Sequence, residues 1–206
     1  ENGISKPGDP QDFQMIYLVD MEHPGLVVFP THRLVRDLPN FDKEAVLEKC
    51  SEFFYIDEKE GTDTMEEDLK KLYDEGKKAF GFYCGKGEWF LLTLKNIDFM
   101  SQMLPNVSKA SQSLDVSVLH TLILEKIFGI DKENMAKQIN LTYTKFFTEA
   151  IDGVDKGEFQ CSFVLNPTRV TEIRDVAAAG EKMPQKSTYF YPKMITGMVM
   201  NNLGVD

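Results

Sequence analysis

The sequence of 206 residues predicts an α+β fold, a mixed, largely antiparallel sheet with hairpins and packed helices. Two observations carry that expectation. Strands joined by tight turns fill the first half, "AFGFYC" and "EWFLLTL" around "GKG" being the clearest pair. In the second half strands and helices alternate, as in "INLTYT", "KFFTEAIDGV", "FQCSFVLN" and "TRVTEIRDVAAAG". A hydrophobic content of 42% with 11% aromatics is ample for a core.

Taken in order, residues 1–12 read as a loose leader or the edge of something larger, and residues 13–206 as a single α+β domain. "FQMIYLVD" alternates, turns through "MEHPG" and returns as "LVVF", which predicts a hairpin ended by Pro30. Asp42 is placed to cap a helix over "KEAVLEKC", and "FFYI" predicts the next strand. In "TMEEDLKKLYDEG", Thr64 and Glu67 have capping-box spacing and Gly76 sits at the helix stop. "SLDVSVLHTLILEKIFG" places Val116, Leu119, Ile123 and Ile127 at helical spacing, which predicts a central buried helix ending at Gly129.

Composition narrows the function classes. No apolar run approaches the ~20 residues that span a bilayer, so no membrane role is expected. Cys50, Cys84 and Cys161 are odd in number and scattered, which predicts buried free thiols and a reducing, cytoplasmic setting. Neither they nor His23, His32 and His120 show metal-ligand spacing. The net charge of −10 weighs against nucleic acid as a partner, because that affinity comes from neutralising phosphates with Lys and Arg. Lys182, Lys186 and Lys193 nevertheless cluster near the end with few acids beside them, which suits an anionic small molecule.

Four stretches carry candidate chemistry. The "GKG" of Gly85–Gly87 is followed by a strand, so it reads as a hairpin turn rather than a phosphate loop. "GEKMPQKST" ends like a nucleotide P-loop, but Gln185 replaces the second glycine and Tyr-Phe-Tyr-Pro cannot open a helix. His120, on the apolar side of its helix, reads first as a core histidine hydrogen-bonded to a neighbouring loop and second as a catalytic or ligand residue. In "PTHRLVRDL", His32 and Arg33 follow a proline stop, where an imidazole beside a guanidinium makes a sensible anion site; a loop anchored by Arg-to-carbonyl contact is the alternative.

The remaining stretch is "MPQKSTYFYPK", residues 183–193. Extended, it would place Ser187, Tyr189 and Tyr191 on one face and Thr188 and Phe190 on the other, with Pro184 and Pro192 stiffening its ends. It reads either as a half-buried edge strand or as a binding segment offering Lys186, Lys193 and hydroxyls to a phosphate or carboxylate.

Together "LVVFPTHRLVRDL", "LDVSVLHTLILEKIFGI" and "MPQKSTYFYPKMITGMV" resemble, in that order, the C-terminal half of the domain-of-unknown-function family numbered 1015. The likeness runs from about Phe13 to about Gly204. Members carry an N-terminal half with an Asp-Gly-His-His-Arg motif similar to ParB-like proteins, relatives of which include free L-serine kinases. The resemblance therefore implies a nucleotide-dependent kinase of L-serine or a similar hydroxy amino acid in serine metabolism, using ATP or ADP with Mg²⁺. It implies that the chain docks with its own N-terminal half, which would hold the catalytic residues, so that this part alone would be inactive. Lys186, Ser187, Tyr189, Tyr191, Lys193, His32 and Arg33 would then supply substrate or phosphate contacts, with no metal ligand and no cofactor of their own. The competing reading is a non-catalytic regulatory or interaction domain that binds an anionic metabolite or docks the N-terminal half.

Overall fold

A computed structural model describes residues 8–9, 12–13, 16 and 18–193. The chain divides into two compact units, residues 28–189 and residues 1–27 with 190–206.

The larger unit is built on a six-stranded sheet. In chain order its strands are β2 (His32–Val35), β3 (Phe54–Glu60), β4 (Ala79–Tyr83), β5 (Glu88–Leu94), β6 (Leu141–Thr144) and β7 (Cys161–Val164), with spatial order β3-β5-β4-β7-β2-β6. Every neighbouring pair is antiparallel. A separate two-stranded sheet contains β1 (Val27–Phe29) and β8 (Tyr189–Tyr191). The helices are α1 (Lys43–Cys50), α2 (Met65–Asp74), α3 (Asp98–Met103), α4 (Lys109–Gln112), α5 (Asp115–Val118), α6 (Lys132–Lys137), α7 (Phe147–Asp155) and α8 (Val170–Ala178). The class is α+β, as the alternating patterns predict.

Side-chain alternation gives the sheet two apolar faces. On one, Val35, Phe80, Phe82, Phe90, Leu92, Cys161 and Phe163 pack against α1, α3 and the helix beginning at Asp115. Phe82 and Phe163 stack there at 4.8 Å between ring centres. On the other, Tyr83, Trp89, Leu91 and Val164 meet Met65 and Leu69 of α2 and Ala150 and Val154 of α7. Gly153 permits α7 to lie this close, since a Cβ there would come within 2.8 Å of the Phe159 ring.

Local chemistry explains most boundaries. Asp42 caps α1 by accepting from the Ala45 N–H at 2.8 Å. Thr64 makes no such bond to α2, because its backbone (φ −105°, ψ −8°) is not the extended conformation that aims a capping hydroxyl. The expected capping box is therefore absent, and Glu66, Glu67 and Asp68 favour that terminus through the helix dipole. Gly85, Lys86 and Gly87 all have positive φ, and the turn is pinned by the Lys86 N–H on Asp155 Oδ1 at 2.9 Å. "GKG" is a hairpin turn, as its sequel indicates.

Three departures matter for the site. The helix expected over 116–128 is α-helical only to Val118, then π-helical over Leu119–Glu125, with the Lys126 N–H reaching Thr121 O at 3.2 Å. His32 and Arg33 do not trail the strand stopped by Pro30 but open a strand of their own, β2, flanked by β6 and β7, and the Arg-to-carbonyl contact of the alternative reading forms there. "MPQKSTYFYPK" is extended only from Tyr189; before that it turns, with Lys186 at φ +56° and the Ser187 N–H on Pro184 O at 3.2 Å.

In the smaller unit, the expected turn at 20–26 forms. The His23 N–H donates to Asp20 O at 3.1 Å and the Leu26 N–H to His23 O at 2.9 Å. The described residues of 13–20 are in no strand, so the hairpin expected there is not formed by them; β1 pairs with β8 instead. The rest of the leader at 1–12 and the "MITGMV" end of the last motif fall outside the described residues.

Candidate functional site

The larger unit holds a cavity of about 560 Å³. The π-helical stretch and the turn before it contribute Ser117, His120, Thr121 and Glu125, and α6 gives Lys132 and Met135. Leu104, Asn106 and Val107 come from the loop after α3, and Tyr143 from β6. Glu181, Lys182, Pro184 and Gln185 form a strap along one side. The π-helical turn carries an extra residue, which re-aims the side chains it presents to the cavity.

Arg33 lies behind this cavity, fully buried. Its Nη1 donates to Thr31 O, and its Nη2 sits 3.1 Å from both His120 Nε2 and Lys186 O. The guanidinium carbon lies 5.4 Å from the centre of the Tyr143 ring. Among the described residues no carboxylate pairs with it, and Arg33 Nε and Tyr143 Oη are buried without a partner. Burial pushes the Arg33 pKa down to about 10, with Tyr143 pulling it back up, so the group stays charged at neutral pH. The same burial, aided by Arg33, drives His120 well below its ordinary value and keeps it neutral.

Charge on the lining is mixed. The Glu181 carboxylate accepts from the Ser108 N–H at 2.7 Å and Ser108 Oγ at 2.8 Å, and from Ser111 Oγ, which together hold its pKa below the usual carboxylate range. Burial raises Glu125, with Lys132 opposing. Lys132 and Lys182 form no ion pair with the described residues, although the Lys132 charge acts on Glu125.

The residues singled out in the sequence are dispersed. His32 and Arg33, neighbours on β2, point to opposite faces of the sheet. His32 packs edge-on to Phe147, accepts from the Leu165 N–H at 3.4 Å through Nδ1, and lines a separate cavity of about 290 Å³ with Pro30, Tyr73 and Asn166. Burial first and Arg33 second push it down to about 4. Lys186 meets Arg33 through its backbone carbonyl, its side chain being exposed. Ser187 is buried beside it, with its carbonyl accepting from Thr168 Oγ1 at 2.9 Å. The Tyr189 ring lies 4.8 Å from Lys145 Nζ, and Tyr191 and Lys193 belong to the other unit. Tyr143, Lys132 and Glu125 were not foreseen; the alternation in "INLTYT" was the available signal for Tyr143, which shares a sheet face with Leu141.

The family model described as "Protein of unknown function (DUF1015)" matches residues 1–117. The chain belongs to this family. The match contains "LVVFPTHRLVRDL" and only the start of "LDVSVLHTLILEKIFGI", and it stops before "MPQKSTYFYPK". No curated protein matches this DUF1015 chain. Among solved structures, a conserved hypothetical protein from Pyrococcus furiosus is 19% identical with a TM-score of 0.46, over 84% of this chain and 59% of that one. A free serine kinase in complex with AMP is 16% identical with a TM-score of 0.47, over 84% of this chain and 56% of that one. A mutant free serine kinase in complex with ADP is 14% identical at a TM-score of 0.47, over 84% and 57%. The chain thus spans less than three-fifths of those proteins.

Proposed function

We propose that this chain supplies a ligand pocket to a small-molecule kinase that phosphorylates a free hydroxy amino acid such as L-serine from a nucleotide donor. The observation that carries the reading is the 560 Å³ cavity with two lysines on its lining and Arg33 behind it, none of the three in an ion pair with the described residues, in a chain of net charge −10. A cavity of that size suits a nucleotide-sized ligand better than serine alone. The motif resemblance supports the kinase class.

A nucleotide fits the donor set. Lys132 and Lys182 would meet its phosphates, and Leu104, Val107 and Met135 offer an apolar wall to its base. The nucleotide supplies the phosphoryl group. Magnesium does not fit in the same way: among the described residues no group of three or more His, Cys, Asp or Glu could hold a metal, so no step on this chain is routed through it. The general base and the metal site belong to the N-terminal half that the resemblance implies, and so does docking between the halves. What this chain does is position the ligand and exclude water, which is most of what phosphoryl transfer asks of a protein.

Calorimetry of the chain with AMP, ADP, L-serine and phosphoserine tests the pocket. A nucleotide is expected to bind and Lys132→Ala with Lys182→Ala to weaken it at least ~10-fold, about the worth of one charge-assisted hydrogen bond. The longer protein, given L-serine, Mg²⁺ and ATP or ADP, is expected to form phosphoserine; none with any donor would sink the kinase reading. Binding without turnover there would make the pocket regulatory.

A further inference from the structure

We infer that Arg33 is the positioning residue of this pocket, pinning the strap at Lys186 O and fixing His120 as the tautomer that carries its proton on Nδ1. The inference rests on the cavity being the ligand site, but its tests are read without any ligand.

A guanidinium has five N–H donors and no acceptor. At 3.1 Å, Arg33 Nη2 can therefore bond His120 Nε2 only if that nitrogen presents its lone pair. The neutral imidazole then carries its proton on Nδ1. His120 lines the cavity and Arg33 does not, so the arginine acts on the pocket through the histidine. The other bond of Nη2 goes to Lys186 O, joining segments 87 and 153 residues from Arg33 in sequence.

The strap is held at both ends. Glu181 is fixed by Ser108 and Ser111, while the far end is fixed by Lys186 O on Arg33 and Ser187 O on Thr168 Oγ1. Between these anchors Lys182, Pro184 and Gln185 face the cavity. Arg33 is suited to hold one of them because β2 is hydrogen-bonded on both sides, to β6 and β7. A lysine could not reproduce the arrangement, since its ammonium is a point donor and lacks the planar fork that reaches three acceptors at once.

Nitrogen-15 NMR of the histidine rings in the unmodified chain decides the tautomer. His120 is expected to show a protonated Nδ1 and an unprotonated Nε2 at neutral pH, and the reverse pattern would overturn the inference without any variant being made. Hydrogen exchange then reads the strap. In Arg33→Lys, amides 185–187 are expected to exchange ~10-fold faster, the worth of one lost hydrogen bond, while amides of α2 across the sheet hold their rates. Equal exchange in the two proteins would overturn the pinning role. Lys186→Asn keeps the carbonyl and tolerates the left-handed backbone, so its strap should exchange as in the unmodified chain. Faster exchange there would transfer the role from Arg33 to the lysine side chain.

Discussion

Lys78 and Arg33 are both taken out of water by the same sheet, yet they are compensated in opposite ways. Lys78 lies between two carboxylates, Asp115 Oδ1 at 2.9 Å and Glu172 Oε1 at 3.0 Å. Burial opposes its charge, but the two acids outweigh burial and its pKa is raised. Among the described residues Arg33 has only neutral acceptors and a tyrosine ring. One cation is neutralised in place and ties β4 to α5 and α8. The other keeps its field and lies behind a cavity, the arrangement expected where a ligand is to be positioned. A buried charge is thus read by what surrounds it.

The largest test of that contrast is Lys78→Met. It leaves Asp115, which is itself buried, facing Glu172 without its bonded cation, Arg169 alone acting on it from further off, and should cost about 3–5 kcal/mol in urea unfolding. A loss under about 1 kcal/mol would remove Lys78 from the structural side of the comparison.

Acid titration comes next. Unfolded histidine takes its proton near pH 6.5, whereas His32 in the fold does so only at about 4. Between those values the unfolded chain binds more protons, so stability falls as pH falls. The full difference for His32 is about 3 kcal/mol. His120 adds in the same sense, and Asp115 acts against both, because burial lets the folded chain take that proton first. His32→Gln should flatten the acid limb measured by urea unfolding at stepped pH. An unchanged slope would mean that the neutral histidine beside Arg33 contributes nothing.

Arg33→Met should cost less than Lys78→Met, about 1–3 kcal/mol. It strands Thr31 O, Lys186 O and His120 Nε2 but also relieves a charge that has no counter-ion among the described residues. If Arg33→Met proves the costlier of the two, the two cations are alike and the contrast fails.

Much of this was legible in the sequence because local rules govern it. Two apolar, aromatic-rich runs around "GKG" marked β4 and β5, glycines marked the turn between them, and Asp42 marked the start of α1. The site was less legible, because it depends on which face of the sheet a residue meets. Reading "HR" as the end of a strand kept His32 and Arg33 together, but within a strand adjacent side chains part, and Arg33 finds its imidazole 87 residues away in His120. Lys186 was singled out for its ammonium, yet its carbonyl makes the contact, and a backbone role leaves no mark on residue type. The π-helical stretch was hidden for a related reason, since its apolar spacing over "VLHTLILE" also fits an ordinary helix.

The smallest effect separates two tyrosines. Tyr83 donates to Asp155 Oδ1 at 2.7 Å and accepts from the Gly87 N–H at 3.1 Å, so its hydroxyl closes the β4–β5 turn. Tyr83→Phe strands both partners and should cost about 1–2 kcal/mol. Tyr143 Oη is buried beside Arg33 with no hydrogen-bond partner among the described residues, so removing it breaks no hydrogen bond there. Tyr143→Phe should change unfolding free energy by less than about 0.5 kcal/mol, or raise it, while lowering nucleotide affinity in calorimetry. Tyr143 lines the cavity, so a loss of affinity without a loss of stability would assign its hydroxyl to the proposed ligand. A marked loss of stability in Tyr143→Phe would instead return that hydroxyl, and the Arg33 side of the comparison with it, to the structural framework.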